Sequence, residues 1–265
     1  MKILNFILVL FIVSIFSGCS VNKLEPKNSF NNNQIEISTN SEEDDLLDEF
    51  ADEMEVEEVY DPLKSYNRFM TGTNDNLYIY VLKPVSNGYK AVVNKEIRLS
   101  VKNFFRNIGY PIRLINNLLQ GKFSNATEET GRFLINSTVG LLGLFDPAKT
   151  HFELEAHNED FGQTLGFYGV GAGPHIVLPI FGPSNLRDVF ATYPDSSLNP
   201  IYYNEDRGYN LVNHFDKSIA LKAYKTVNNT SLSGDSYDKM KQDAVDLYPY
   251  LRDVYEQHRN KQIEE

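Results

Sequence analysis

The densest group of side chains able to hold a metal or move a proton is His151, Glu153, Glu155, His157 and Asp160. Their spacing matches no standard ligand set, and a solvated, charged loop is the simpler reading. Nucleophilic chemistry fares no better, because no serine sits in a G-x-S-x-G elbow. The glycines between Gly166 and Gly173 fit neither the dinucleotide fingerprint nor a phosphate loop, which ends in Gly-Lys-Ser or Gly-Lys-Thr. Ser184 reads as a helix N-cap with Asp188 one turn on, leaving Arg187 available for a carboxylate or a lipid phosphate. No metal site, no cofactor and no enzymatic reaction are expected.

The remaining reactive side chain is Cys19, the only cysteine. A lone cysteine excludes an intramolecular disulfide framework and any multi-cysteine zinc or iron–sulfur site. Lys2 precedes an apolar run from Ile3 to Phe16, roughly 21 Å of helix at 1.5 Å per residue. That is short for a bilayer core of ~30 Å. A basic start, an apolar core and small residues read as a secretory signal over residues 1–18. Ser17-Gly18-Cys19 resembles the bacterial lipobox, with Phe16 where Leu is usual. Cys19 is then expected to carry the acyl chains and become the new N-terminus; several chains anchor stably where one gives marginal binding. Ser20 follows, not the Asp that resembles an inner-membrane retention signal, which points to the outer membrane.

The formal charge of −11 comes from 25 basic and 36 acidic side chains in 265 residues. An acidic balance argues against nucleic acid, which needs a basic footprint. The surplus is local: residues 41–61 carry 12 acids and no base, whereas the chain from Pro62 onward holds 22 acids and 22 bases. Like charges at this density keep a chain extended, so residues 19–60 read as a flexible tether. The body beyond it is neutral.

The elements that must position any chemistry in that body are helical. Tyr89, Val93, Ile97, Val101, Phe104 and Ile108 recur every three or four residues, with Lys90, Lys95, Lys102 and Arg106 off the stripe. Pro111 opens another helix, which Gly121 stops. Asn125 with Glu128 resembles a capping box for a third, carrying Phe133 and Leu134. Two long helices are expected over 209–227 and 237–258, the second kinked at Pro249. With no sustained alternation and no internal repeat, the expected fold class is all-α, built of amphipathic helices.

Eight of the 16 glycines fall between Gly140 and Gly182, set among apolar residues: 139–145, 166–174 and 176–183. This middle segment is too interrupted for one transmembrane helix and too apolar for an ordinary exposed loop. Two readings stay open: a buried core loop, or irregular backbone at membrane depth that protein buries or that lines a cavity.

Several motifs appear in order: Asp61-Pro62-Leu63, Tyr66-Asn67-Arg68, Leu82-Lys83-Pro84, Leu118-Leu119-Gln120-Gly121, Arg132-Phe133-Leu134-Ile135-Asn136 and Gly143-Leu144-Phe145-Asp146. Glu159-Asp160-Phe161-Gly162-Gln163-Thr164-Leu165-Gly166, Gly169-Val170-Gly171, Gly173-Pro174-His175 and Gly182-Pro183-Ser184-Asn185-Leu186-Arg187-Asp188 follow. The series resembles the MlaA/VacJ family of outer-membrane phospholipid-transport lipoproteins over residues 61–195. Lys64-Ser65, Tyr168 and His175 depart from its common pattern; both aromatic changes keep a ring with a polar handle.

The resemblance implies a ring-shaped, membrane-embedded single domain in the inner leaflet of the outer membrane. Its central channel would remove mislocalised phospholipid from the outer leaflet and pass it to a soluble periplasmic carrier, in association with trimeric porins. No covalent chemistry is implied. A headgroup path must be polar, because an unpaired buried phosphate is prohibitive. The expected channel or rim residues are Asn136, Ser137, Thr138, Gly140, Gly143, Phe145, Gly166, Gly169, Gly171 and Gly173. Arg187 and Asp188 are candidates for headgroup contact or a structural ion pair. The channel domain is expected over 61–232, with 233–265 as a C-terminal helix. The alternative is a lipidated envelope scaffold that docks porins without moving lipid.

Overall fold

The structure, a computed structural model, describes residues 61–202, 211–212 and 214–265. The expected signal peptide, Cys19 and the acidic tether lie outside the described residues.

The described chain is helical, as its periodicity requires. Helix α1 (Lys64–Leu77) runs through a π-helical turn (Tyr78–Leu82) into α2 (Lys83–Val92) without interruption. Pro84 accounts for the wide turn. It has no N–H, and its ring crowds the carbonyl four residues back, so the helix dilates locally. The Lys83 amide then reaches the Tyr78 carbonyl, five residues earlier.

Next come α3 (Lys95–Ile108), α4 (Tyr110–Leu119), α5 (Phe123–Thr138), α6 (Pro147–Phe152) and α7 (Phe161–Phe167). A β-hairpin follows, β1 (His175–Leu178) and β2 (Gly182–Asn185), then α8 (Leu186–Leu198), α9 (Phe215–Asp243) and α10 (Leu247–Glu264).

Several local expectations need correction. The stripe from Tyr89 to Ile108 spans two helices, because Asn94 caps α3 by accepting the Ile97 amide at 3.0 Å. Asn125 is not a cap; α5 begins two residues earlier at Phe123. Asn185, not Ser184, caps α8, accepting the Asp188 amide at 2.9 Å. Helix α9 is longer than expected and passes through residue 232, where a domain boundary was drawn. Pro249 sits in the first turn of α10, where a missing N–H costs nothing and no kink results.

The hairpin is the one departure from all-helix among the described residues. Its strands pair antiparallel, His175 with Asn185 and Leu178 with Gly182. Four-residue strands are too short to announce themselves by alternation. The turn needs left-handed backbone at Ile180 (φ 70°) and Gly182 (φ 83°). A β-branched residue there is strained and must be held by its surroundings. Helix α1 holds it. Asn67 accepts the Val177 amide at 2.8 Å and donates to the His175 carbonyl at 3.0 Å. Asn74 accepts the Ile180 amide at 2.7 Å and donates to the Leu178 carbonyl at 2.9 Å. Two asparagines seven residues apart share one helix face, so α1 serves as a hydrogen-bonding rail for β1.

The interior is polar and the exterior apolar. Of the buried apolar side chains among the described residues, Ala126, Ala148 and Ala191 are small, and Phe105, Val177, Ile201 and Tyr248 are large. Polar buried residues are far more numerous, with Asn67, Asn116, Asn185, Asn228 and Glu129 wholly enclosed. They act as glue between helices. Asn228 accepts from the Tyr89 hydroxyl and donates to the Arg98 carbonyl, both at 3.0 Å, joining α9 to α2 and α3. Meanwhile Val92, Leu142, Phe181, Phe190 and Tyr193 are each at least 70% exposed. Large exposed apolar area on this scale marks a surface that meets something other than water. No helix among the described residues is long and apolar enough to cross a membrane.

Candidate functional site

A cavity of about 660 Å³ lies between the α1–π–α2 rod, the hairpin and α9. Its volume is within the range of small-molecule sites. One wall is the dilated segment, through Leu77, Tyr78, Val81, Leu82 and Val85. The hairpin supplies Val177, Ile180, Phe181 and Pro183, and α9 supplies Phe215, Ile219, Ala223 and Val227. The π-turn and the strained Ile180 thus face one cavity, which the asparagine rail keeps in register.

Polar groups are few and unequal. Tyr78 and Tyr237 close one end, their rings 4.3 Å apart. Tyr237 donates to Asp75 at 3.1 Å, and Lys241 pairs with the same carboxylate at 2.6 Å. Burial, then Asp75, pushes the Tyr237 hydroxyl up, so it stays a neutral donor. Lys222 is different. Its ammonium lies 3.7 Å above the Tyr202 ring. No carboxylate among the described residues comes within ion-pair distance of it, and burial lowers its pKa. Lys225 is also pulled down, first by burial and then by Arg113 and Lys222. The cavity is an apolar volume with a lysine on its wall that no carboxylate among the described residues pairs, and it can take an apolar chain and the anion attached to it.

None of the ten residues expected at a channel or rim lines this cavity. Asn136 is buried, donating to Asp146 at 2.8 Å and accepting the Ala148 amide at 3.1 Å. Ser137 accepts from Asn107 at 2.9 Å, and Thr138 is exposed, bonding its own helix. Gly140 and Gly143 build a tight turn: a Cβ on Gly140 would stand 2.5 Å from the Asn136 carbonyl oxygen. Gly143 has φ +88° and lies against Asn107. Phe145 is exposed beside that turn. Gly166 lets α7 approach Ile263 of α10, where a Cβ would stand 2.6 Å from its Cδ1. Gly169, Gly171 and Gly173 lie on an exposed loop, and a Cβ on Gly171 would meet nothing within 4 Å.

Arg187 and Asp188 are both buried and paired, Nε to Oδ1 at 3.1 Å. Asp188 also accepts from Arg259 at 2.8 Å and Tyr255 at 2.6 Å. Burial opposes ionisation of Asp188, but the bonds from Arg259 and Tyr255 outweigh it and the carboxyl stays below its usual range. Arg259 continues to Asp160, the N-cap of α7. His157 pairs with Glu128 at 3.0 Å, so the suspected metal loop is engaged in capping and ion pairs. Among the described residues, no three potential ligands gather in a metal-binding arrangement.

Sequence reasoning missed the cavity walls, though the 176–183 stretch carried part of the signal. The rest lay in Tyr78-Ile79-Tyr80-Val81-Leu82, an apolar run one residue short of Pro84.

The MlaA lipoprotein family model matches residues 59–262. The chain belongs to that family. It is 32% identical to the intermembrane phospholipid transport system lipoprotein MlaA of Haemophilus influenzae, over 78% of this chain and 80% of that one. An uncharacterized protein of Rickettsia bellii is 33% identical, over 78% of each chain. A structure solved in work on the structural basis for maintenance of bacterial outer membrane lipid asymmetry superposes with a TM-score of 0.66. It is 28% identical, covering 77% of this chain and 99% of that one.

Proposed function

We propose that this member of the MlaA lipoprotein family works in intermembrane phospholipid transport and keeps the outer membrane asymmetric. It removes mislocalised phospholipid from the outer leaflet and delivers it through its interior to a periplasmic carrier. The body sits in the inner leaflet of the outer membrane, tethered through acylated Cys19 and associated with a trimeric porin. It makes and breaks no covalent bond.

The observation that carries this reading is the apolar cavity with the Lys222 ammonium on its wall, set over the Tyr202 ring. Acyl chains suit the walls, and a phosphate suits the ammonium, which has no carboxylate partner among the described residues. The apolar exterior supports embedding, since lipid imposes no penalty on exposed leucine and phenylalanine. The glycine-bearing segment 166–173, which does not line the cavity, belongs to the outer surface of the body, where exposed backbone meets headgroups.

The test is a deletion strain complemented with this chain, reading outer-leaflet phospholipid by its accessibility to added phospholipase. Wild type should restore asymmetry. Ala223→Trp, which fills the cavity, should not, at equal membrane abundance and equal porin co-purification. Lys222→Met should restore it only in part. Full activity of Ala223→Trp would mean that lipid does not pass this cavity and would favour a porin-docking scaffold.

A further inference from the structure

Three arginines converge away from the cavity, and their charges are not matched. Arg113 pairs with the wholly buried Glu129 at 2.6 Å. Arg132 grips both Asp146 oxygens, at 3.0 and 2.7 Å, and also donates to the Leu154 carbonyl. Asp146 accepts from Asn136 and from the Lys149 amide as well. Arg106 is left over. Its guanidinium comes only to 4.0 Å of Asp146, makes no side-chain hydrogen bond among the described residues, and is 32% exposed. Burial, Arg132 and Arg113 together weaken its hold on its proton. Among the described residues, three guanidiniums and two carboxylates leave this cluster one positive charge in excess, with Arg106 its partly exposed member.

The apolar turn beside it is the second observation. Val139, Leu141, Leu142 and Phe145 are each 55% exposed or more. Leu141 (φ 50°) and Leu142 (φ 61°) adopt left-handed backbone, which side-chain-bearing residues resist. The turn is fixed against α3: Gly143 packs on Asn107, next in sequence to Arg106, and Asn103 donates to the Leu144 carbonyl at 3.5 Å. A strained knuckle of leucines and a guanidinium with no side-chain hydrogen bond among the described residues therefore lie close together, Asp146 at the end of the knuckle standing 4.0 Å from Arg106. A water-facing surface has no use for that pairing, whereas an acyl layer capped by phosphates meets both needs at once.

We propose that Arg106 and the 139–145 knuckle form a second lipid site, outside the transport cavity, that docks the phosphate of an anionic membrane phospholipid. The leucines enter the acyl boundary and Arg106 takes the phosphate oxygens. The site rests on the reading that the body lies at a membrane, but not on lipid passing the cavity. It orients the body on the leaflet.

The test is flotation of the full chain carrying Cys19→Ser, so that acylation does not mask weaker contacts. Vesicles of phosphatidylcholine alone are compared with vesicles also containing phosphatidylglycerol. Binding to the neutral vesicles tests the membrane reading itself; the preference for anionic vesicles tests this site. Arg106→Gln should lower that preference about fivefold, the worth of one basic side chain at an anionic surface. Arg106→Lys should keep most of it, and Leu141→Ser with Leu142→Ser should weaken binding to both vesicle types. Lys239→Gln, the same charge change on α9, should alter it less than twofold. Equal losses for Arg106→Gln and Lys239→Gln would reduce the effect to net charge and overturn the proposal. So would inorganic phosphate displacing the protein from anionic vesicles at ionic strength matched with chloride, which would make the ligand a soluble anion. An unchanged circular-dichroism melt for Arg106→Gln separates loss of the site from loss of the fold.

Discussion

The asparagine rail makes the sharpest quantitative prediction. Asn67→Ala removes the partner of the Val177 amide and of the His175 carbonyl, in a site where those residues are 2% and 5% exposed. Water cannot readily replace the amide, so both backbone groups are stranded. A buried group left unsatisfied costs about 1–3 kcal/mol, so the pair should cost about 3 kcal/mol. Tyr248 loses one contact to Asn67 but retains its bond to Asp61, and adds little. Asn74→Ala is the internal control. Its partners, the Leu178 carbonyl and the Ile180 amide, lie beside a hairpin tip that is 73% exposed at Ile180, and water can take both. That change should cost about 1 kcal/mol, the net worth of an exposed hydrogen bond. Denaturant unfolding in detergent micelles gives both totals. Amide exchange adds the local reading: Val177 should exchange roughly a hundredfold faster in Asn67→Ala. Equal costs for the two variants, or a loss below about 1 kcal/mol for Asn67→Ala, would refute the reasoning that burial decides the difference.

Other expectations are simpler. Gly143→Ala should destabilise by about 1–3 kcal/mol, because the residue has φ +88° and its Cβ would stand 2.4 Å from Asn107; Gly171→Ala, in open space, should melt as wild type, and equal melting of the two would contradict the turn geometry. Glu129→Ala strands Arg113 and should cost about 3–5 kcal/mol, whereas the double change with Arg113→Met should recover much of it in chemical unfolding. Burial, and then the nearby charge of Asp160, outweigh the Phe161 and Asn116 hydrogen bonds and push the Asp195 carboxyl up to about 6. The folded state then binds its proton more tightly than the unfolded chain, whose carboxyl titrates near ~3.9, so this group's contribution rises as pH falls from 7 through 6 toward 4. Asp195→Asn should flatten that part of the stability profile; an unchanged profile across the window would remove Asp195 as its source.

The helical character and several helix ends were legible because apolar period and end signals are local. Pro111 and Gly121 bracket α4 as their backbone preferences demand, and Gly121 takes φ +73°. The break at Asn94 was hidden because the apolar stripe continues across it in phase. The hairpin was hidden because its outer edge is completed by α1 side chains more than a hundred residues away in sequence. The glycine-rich middle was correctly singled out as unusual, but its reasons differ from place to place. Gly140 and Gly143 serve a tight turn, Gly166 a close helix contact, and Gly182 the hairpin beside the cavity. Composition shows that backbone must come close; it does not show to what.

The polar interior has a thermodynamic consequence. Heat capacity rises on unfolding in proportion to the apolar surface newly exposed to water, and newly exposed polar surface lowers it. Here much of the leucine and phenylalanine surface is already outside, and what unfolding uncovers is largely asparagine, arginine and carboxylate. The heat-capacity increment per residue should therefore fall below the ~12–15 cal/mol/K of ordinary globular domains. A small increment flattens the stability curve, so the body should lose stability on warming over an unusually broad range and resist cold denaturation. Calorimetry of the detergent-solubilised protein reads that curvature directly.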